Sequence, residues 1–93
     1  MNSNITELAK QTVEALARSG KTLATAESCT GGMLGELITS VPGASDVYGF
    51  GFITYANEAK QRLVGVKPET LAAVGAVSSS AAAEMAQGAK RVS

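Results

Sequence analysis

The sequence predicts an α/β protein, because helical and extended patterns alternate along its 93 residues. Apolar residues recur at the helical period near both ends of the chain. Two shorter stretches, one apolar and one rich in Val, Ile, Phe and Tyr, have the length and composition of strands. The first of them leads through a Ser-Cys-Thr-Gly-Gly run into a helical pattern, so the chain contains a strand–turn–helix step.

The first element is an amphipathic helix, whose apolar residues form one stripe at helical spacing and are followed by a glycine, a typical helix stop. Residues 22–26 are predicted as a buried strand, residues 28–32 as a turn, and residues 33–40 as a second helix that ends at a Pro-Gly pair. The stripe of the first helix consists of Ile5, Leu8, Ala9, Val13, Leu16 and Ala17.

Residues 47–55 form the second predicted strand, in which glycines stand among Val, Ile, Phe and Tyr. Strict alternation of side chains places one set on a common face of the sheet, namely Tyr48, Phe50, Phe52 and Thr54. The opposite face then carries glycines, which suggests close packing by a helix or a ligand.

Three helices are predicted after the second strand. Asn57 can cap a short helix that ends at residue 64, and Pro68 fits the first turn of another over residues 68–74. Ser78 or Ser79 can cap a last helix over residues 80–92. The side chains of this helix expected to point inward are Ala82, Met85, Ala86 and Ala89.

Two strands make a poor sheet by themselves. We therefore expect residues 1–93 to belong to a single domain that continues past Ser93, or whose sheet a partner chain completes, as in a homo-oligomer. Without such completion we expect Leu34, Ile38 and Met85 to face water, which would leave the isolated chain short of stability.

Composition excludes several classes of function. Eight basic and eight acidic residues cancel to a net charge of zero and are interspersed, so no nucleic-acid partner is expected. No apolar run approaches the ~20 residues that span a bilayer, so no membrane partner is expected. The single cysteine and the absence of a secretory pattern at the N-terminus favour a cytoplasmic protein.

The chain contains no histidine, which excludes Ser-His-Asp and Cys-His catalysis. Neither a cysteine-rich zinc site nor a calcium loop is present in the sequence, so no metal site is expected. Any acid–base chemistry must use lysine, tyrosine, glutamate or the cysteine.

The turn between the first strand and the second helix is the candidate site. A helix N-terminus carries partial positive charge and attracts anions. Ser28 is a candidate nucleophile that needs a base, and without histidine a buried lysine is the available type. Thr30, Gly31 and Gly32 can offer N–H groups to an oxyanion or a phosphate. From the residues alone, Ser28 or Thr30 as an ordinary helix cap remains open.

Four further residues have two interpretations each. Glu27 either pairs with Lys60 or orients a ligand amide, or it is a surface carboxylate at the strand end. Cys29 adjoins Ser28 as a reactive thiol or as a small packing residue. The Tyr55 hydroxyl reaches the site, or the ring only packs. Asn57 contacts a ligand or caps its helix.

The run TAESCTGG at residues 25–32 resembles the signature of the CinA C-terminal domain, which the bacterial nicotinamide mononucleotide amidases share. Four further blocks resemble the family in the same order: VPGAS at 41–45, GFITYANEAK at 51–60, LVGV at 63–66 and GAVS at 75–78. Together the blocks make the resemblance specific.

The resemblance implies a three-layer α/β/α fold, of which residues 1–93 form the N-terminal part. It implies hydrolysis of nicotinamide mononucleotide to nicotinate mononucleotide and ammonia, with a nucleotide substrate and no cofactor. Its catalytic residues would be a Ser28–Lys60 dyad with Tyr55 close by. The substrate and oxyanion contacts would come from Glu27, Cys29, Thr30, Gly31, Gly32 and Asn57.

A second hypothesis belongs to a different class of function. In it, the turn only cradles a nucleotide phosphate, and the domain is a non-catalytic module that serves competence or the response to DNA damage through partners.

Overall fold

The computed structural model describes residues 3–93, and Met1 and Asn2 of the predicted domain lie outside the described residues. Helices and strands alternate as the sequence predicts, with boundaries that shift by one or two residues. The elements in chain order are α1 (Ser3–Ser19), β1 (Leu23–Glu27), α2 (Met33–Thr39), β2 (Tyr48–Ile53), α3 (Asn57–Val64), α4 (Pro68–Val74) and α5 (Ser79–Val92). A 3₁₀ turn, Ala44–Asp46, precedes β2.

The two strands pair in parallel, and α2 is the crossover between them. One core cluster packs α1 and α2 against the sheet around Val13 and Ile38. The other packs α3 and α5 against the opposite face around Val64 and Met85. The sheet is therefore the middle layer of an α/β/α arrangement, as in the predicted fold class. No helix within residues 3–93 is long and apolar enough to cross a membrane.

A bulge in β2 overturns the predicted alternation. Leu23 pairs with Tyr48, but the next residue of β1, Ala24, pairs with Phe50 rather than with Gly49. The extra residue turns Tyr48 to the α1/α2 face, whereas Phe52 packs on the α3/α5 face. Tyr48 and Phe52 therefore do not share a face, because strict period-two counting fails across a bulge.

The structure corrects two helix predictions. Asn57 is the first residue of α3 and Ala56 is its N-cap, so Asn57 does not cap the helix. Ser78 is the N-cap of α5 and accepts a hydrogen bond from the Ala81 N–H at 3.1 Å. The buried face of α5 includes Met85 and Ala89 as predicted, whereas Ala82 and Ala86 are exposed because α5 packs on α3 and the sheet through the neighbouring positions 81 and 88. The buried residues of α5 are Ala81, Met85, Gly88 and Ala89.

The expected exposure of three apolar side chains is only partly correct. Ile38 and Met85 are buried against the two core clusters within the chain. Leu34 is exposed, as are Met33 and Ile53 nearby in the chain's α2 and β2 segments. The helices on both faces of the two strands therefore cover more apolar surface than strand counting suggests.

The packing of α5 against α3 at Gly88 requires a glycine. A Cβ atom at Gly88 would overlap the carbonyl group of Val64. A backbone carbonyl cannot rotate away as a flexible side chain can, so α5 or α3 would have to shift.

We predict that Gly88→Ala lowers the free energy of unfolding by about 1–3 kcal/mol, the usual cost of overpacking. Helix propensity alone predicts the opposite sign, a gain of about 1 kcal/mol. The measurement is urea unfolding at one fixed protein concentration, because the unfolding midpoint of any chain that self-associates depends on its concentration. Gly49→Ala is the control, because no atom lies within 4 Å of the added Cβ. An unchanged or raised midpoint for Gly88→Ala would contradict the packing argument.

Candidate functional site

The Ser-Cys-Thr-Gly-Gly turn lies at the carboxyl ends of the parallel strands, where α/β folds commonly bind ligands. The Gly31 N–H donates to the Ser28 carbonyl at 3.0 Å, which closes a turn directly after β1. Gly31 and Gly32 have φ angles of 63° and 109°, and this left-handed region favours glycine. The two glycines therefore let the chain reverse from the strand into α2 within five residues.

Lys60 on α3 points into this corner and is one of the most deeply buried side chains, with 2% of its surface exposed. Its Nζ donates to Ser28 Oγ at 3.1 Å. It also donates to two backbone carbonyls that follow β2, those of Thr54 at 2.8 Å and Tyr55 at 3.1 Å. The predicted proximity of Ser28 and Lys60 is confirmed, and their catalytic roles stay a prediction.

Three acceptors suit both forms of the Lys60 amine. An ammonium has three N–H groups, one for each oxygen. A neutral amine donates its two N–H groups to the carbonyls of Thr54 and Tyr55 and turns its lone pair toward the Ser28 hydroxyl. The arrangement can therefore take up the proton of Ser28 without a rearrangement of its partners. Within residues 3–93, no carboxylate lies at ion-pair distance from Lys60 Nζ.

Glu27 has a different role from those the sequence suggested. Its carboxylate is buried, with 6% of the residue exposed, and it does not pair with Lys60. Oε1 accepts hydrogen bonds from Thr30 Oγ1 at 2.8 Å and from the Leu34 N–H at 2.7 Å, and Oε2 accepts from the Gly35 N–H at 2.9 Å. The interpretations of Glu27 as a partner of Lys60 and as a surface carboxylate are therefore wrong, because it caps α2.

The same bonds govern the charge of Glu27. Burial acts to raise the pKa of this carboxyl, but hydrogen bonds from Gly35, Thr30 and Leu34 stabilise the carboxylate and hold the pKa below its ordinary value. A carboxylate therefore sits at the N-terminus of α2, where helix N–H groups favour negative charge. The first turn of this helix is occupied by the chain's own anion.

The open donors of the site lie in the turn itself. Within residues 3–93, the backbone N–H groups of Cys29, Thr30 and Gly32 donate no hydrogen bond. The Gly31 N–H, in contrast, is used by Ser28. Of the predicted oxyanion contacts, Gly31 is therefore already paired, whereas Thr30 and Gly32 keep a donor available. Cys29 adds a third one next to Ser28.

Three other predicted residues lie near the site in unexpected ways. Tyr55 follows the end of β2, 75% of its surface is exposed, and it reaches Lys60 through its carbonyl rather than its hydroxyl. Cys29 is exposed, so its interpretation as a small packing residue is wrong. Asn57 is exposed at the start of α3. Any contact of these side chains with a substrate stays a prediction.

Thr54 belongs to the site although the sequence did not predict it there, and it is fully buried between the two strand ends. Its N–H donates to the Glu27 carbonyl at 2.7 Å, and its carbonyl accepts from Lys60 at 2.8 Å. The only signal in the sequence is its position in the GFITYANEAK block, because its contribution to the lysine comes from the backbone.

Two hollows lie on the surface, one at each end of the strands. A depression of about 240 Å³ lies beside Glu27 and is bordered by Gly32, Tyr48 and Ile53. A larger hollow of about 660 Å³ lies at the start of β1, by Leu23 and Gly49, at the other end of the strands. Neither of these hollows is lined by Ser28 or Lys60. No group of three His, Cys, Asp or Glu side chains suited to a metal occurs within the part of the chain that the structure describes.

Comparison with known proteins identifies relatives of this arrangement. A family described as the CinA C-terminal domain matches residues 5–93. A CinA-like protein of Desulfovibrio desulfuricans is 55% identical over 91% of this chain, which spans 20% of that protein. The nicotinamide-nucleotide amidohydrolase PncC of Escherichia coli K12 is 48% identical over 95% of this chain, which spans 53% of that protein.

Solved structures agree with the sequence relatives. The crystal structure of the competence/damage inducible protein CihA from Agrobacterium tumefaciens superimposes with a TM-score of 0.96 at 41% identity. It covers 99% of this chain, and this chain covers 56% of it. The chain thus spans about half the length of these structural relatives, and one-fifth to one-half that of the curated proteins above.

We predict that Glu27 contributes to the loss of stability in acid. Because its pKa is lowered in the folded protein, its carboxylate stabilises the fold above the ordinary value of 4.5, and this contribution is lost as the pH falls through the folded pKa. As the pH falls from above 4.5 through the folded pKa, the free energy of unfolding should therefore fall less steeply in Glu27→Gln than in the wild type.

The measurement is urea unfolding across that pH range. Glu36→Gln is the control, since it removes an exposed carboxylate from α2, the helix that Glu27 caps, and leaves the bonds of Glu27 intact. Equal pH slopes for Glu27→Gln and the wild type would contradict the assignment.

Proposed function

Because this chain belongs to the CinA C-terminal domain family, we propose that it carries the nucleophile and the base of an amidase that hydrolyses nicotinamide mononucleotide. The observation that carries the proposal is the 3.1 Å hydrogen bond between Lys60 Nζ and Ser28 Oγ in a chain without histidine. The substrate is inferred from the relative named nicotinamide-nucleotide amidohydrolase.

The first half of the reaction forms an acyl-enzyme. Ser28 Oγ attacks the carboxamide carbon while its proton passes to the neutral amine of Lys60. The tetrahedral intermediate then collapses, Lys60 returns the proton to the amide nitrogen, the C–N bond breaks and ammonia leaves. The carbonyls of Thr54 and Tyr55 keep the amine in place throughout, since they hold its other two N–H groups.

The second half of the reaction releases the acid. Water attacks the ester carbon, and its proton passes to Lys60. The bond to Ser28 Oγ then breaks, Ser28 regains a proton from Lys60, and nicotinate mononucleotide departs. Charge on the two tetrahedral intermediates would be stabilised by the unpaired N–H groups of Cys29, Thr30 or Gly32, and one such donor is typically worth about 3–4 kcal/mol.

The rival hypothesis of a non-catalytic phosphate cradle is less well supported. Such a cradle would use the N–H groups of the turn at residues 28–32 together with those of the first turn of α2. The carboxylate of Glu27 already accepts from Leu34 and Gly35, so a phosphate there would meet a buried negative charge at close range. A solvated lysine would also serve phosphate better than the buried Lys60.

The broader expectations remain proposals. We propose a cytoplasmic protein that acts on a small nucleotide without nucleic-acid or membrane partners, and that assembles as a homo-oligomer. The support for assembly is the two-stranded sheet together with exposed apolar side chains such as Phe50 and Ile53.

We predict that Ser28→Ala and Lys60→Met each lower ammonia release from nicotinamide mononucleotide by about 10³-fold or more, because removal of a nucleophile or its base disables the whole unit. Lys60→Arg should fail as well, since a guanidinium cannot accept a proton near neutral pH. The assay uses the native full-length polypeptide that carries residues 1–93.

Ser45→Ala and Lys10→Met are matched controls, because both residues are exposed and lie on other elements. They should retain wild-type turnover. Near-normal ammonia release by Ser28→Ala would rule out the covalent mechanism, and a wild-type protein that releases no ammonia would rule out the proposed substrate.

A further inference from the structure

We propose that Glu27 is a positioning residue for the nucleophile: its carboxylate holds the turn of residues 28–32 in the shape that aims Ser28 Oγ at Lys60 Nζ. The inference rests on the proposed function, because it takes Ser28 as the nucleophile. It deepens that function by adding a residue that acts through Ser28.

The first support is that Glu27 is anchored on two sides, directly before Ser28. Its side chain is bonded to the first turn of α2. Its carbonyl accepts from the Thr54 N–H at 2.7 Å, and the Thr54 carbonyl accepts from Lys60 Nζ. One residue thus links the start of α2, the end of β2 and, through Thr54, the amine that contacts Ser28.

The second support is that the turn has few bonds of its own. Its internal backbone bonds are those from Gly31 to Ser28 and from Met33 to Thr30, at 3.0 and 3.2 Å. Two consecutive glycines give this segment wide conformational freedom. The bond from Thr30 Oγ1 to Glu27 Oε1, at 2.8 Å, therefore supplies a cross-link from the middle of the turn back to its first anchor.

The third support is the identity of the residue that caps α2. A helix is usually capped by the side chain of its own N-cap residue. The N-cap of α2 is Gly32, which has no side chain, and the capping carboxylate belongs to the strand residue next to Ser28. This origin couples the position of α2 to that of Ser28, which a local cap would not do.

The fourth support is the space left for the carboxylate. A Cβ atom at Gly35 would lie 3.3 Å from Glu27 Oε2 and 3.0 Å from the Tyr48 hydroxyl. That hydroxyl is fixed by a 2.6 Å hydrogen bond with Thr25 Oγ1. A glycine at position 35 therefore lets the helix approach the carboxylate closely enough for the Gly35 N–H to donate to it.

The test compares two matched pairs of variants in the native full-length polypeptide that carries residues 1–93. Thr30→Val removes the hydroxyl that donates a hydrogen bond to Glu27, and Thr30→Ser restores that hydroxyl. Glu27→Gln leaves an amide N–H group facing a backbone N–H, and Glu36→Gln removes an exposed carboxylate from the same helix. The Thr30 pair decides the question if Glu27→Gln fails to fold, since Thr30 is exposed.

Two kinetic measurements are made for each variant. One is the labelling of Ser28 by a fluorophosphonate, in which Ser28 Oγ bonds to phosphorus, fluoride leaves and the serine proton passes to Lys60. The other is kcat and KM for nicotinamide mononucleotide. We expect Thr30→Val and Glu27→Gln to lower the labelling rate and kcat by about tenfold or more with KM nearly unchanged. Glu36→Gln should react as the wild type does, and Thr30→Ser should regain most of the labelling rate and kcat that Thr30→Val loses.

The outcomes separate this inference from the proposed function. Equal labelling rates in all variants would overturn it, and so would a wild-type protein whose Ser28 is not labelled at all. A raised KM with an unchanged kcat would also overturn the inference, because Glu27 would then act on substrate binding. The expected labelling pattern without ammonia release would uphold the positioning role and overturn only the proposed substrate.

Discussion

The burial of the Lys60 amine is the constraint on which the rest of the site depends. An amine withdrawn from water is costly unless each of its N–H groups finds an acceptor. The acceptors come from three places: the turn after β1, and two successive carbonyls after β2. Both strand ends and α3 must therefore hold fixed positions relative to one another, and the packing of Val64 against α5 keeps α3 there.

At the N-terminus of α2, the attraction of a helix terminus for an anion can either bind a ligand or stabilise the fold. Unpaired N–H groups and the helix dipole attract an anion, which made this turn a candidate phosphate or oxyanion site. In the folded chain that anion is Glu27, so the dipole stabilises the turn from within. The donors left over are those of the turn, next to Ser28, where charge would develop during acyl transfer.

The bulge in β2 also explains a glycine of that strand. The spacing of the glycines in β2 suggested an approach by a helix or a ligand. The structure instead places the Tyr48 hydroxyl over Gly51, where a Cβ atom would overlap it. The bulge turns Tyr48 onto this face, and its bond with Thr25 Oγ1 fixes the ring beside Glu27 and Gly35. Gly51, whose lack of a side chain suggested contact with a helix or a ligand, therefore makes room for the side chain of Tyr48.

The sequence by itself determined the order and type of the elements, because helix and strand periods are local properties of the residues. It also limited the chemistry available at the site: without histidine, any base for Ser28 must be a lysine, tyrosine, glutamate or cysteine side chain. Proximity of Lys60 to Ser28 was inferred from the resemblance to a family, since 32 residues separate the two in the chain. Tertiary structure alone decided that Glu27 caps α2, that Tyr48 changes face and that Tyr55 contributes its carbonyl. These outcomes depend on strand register and on backbone groups, which are shared by every residue type and leave no local pattern in the sequence.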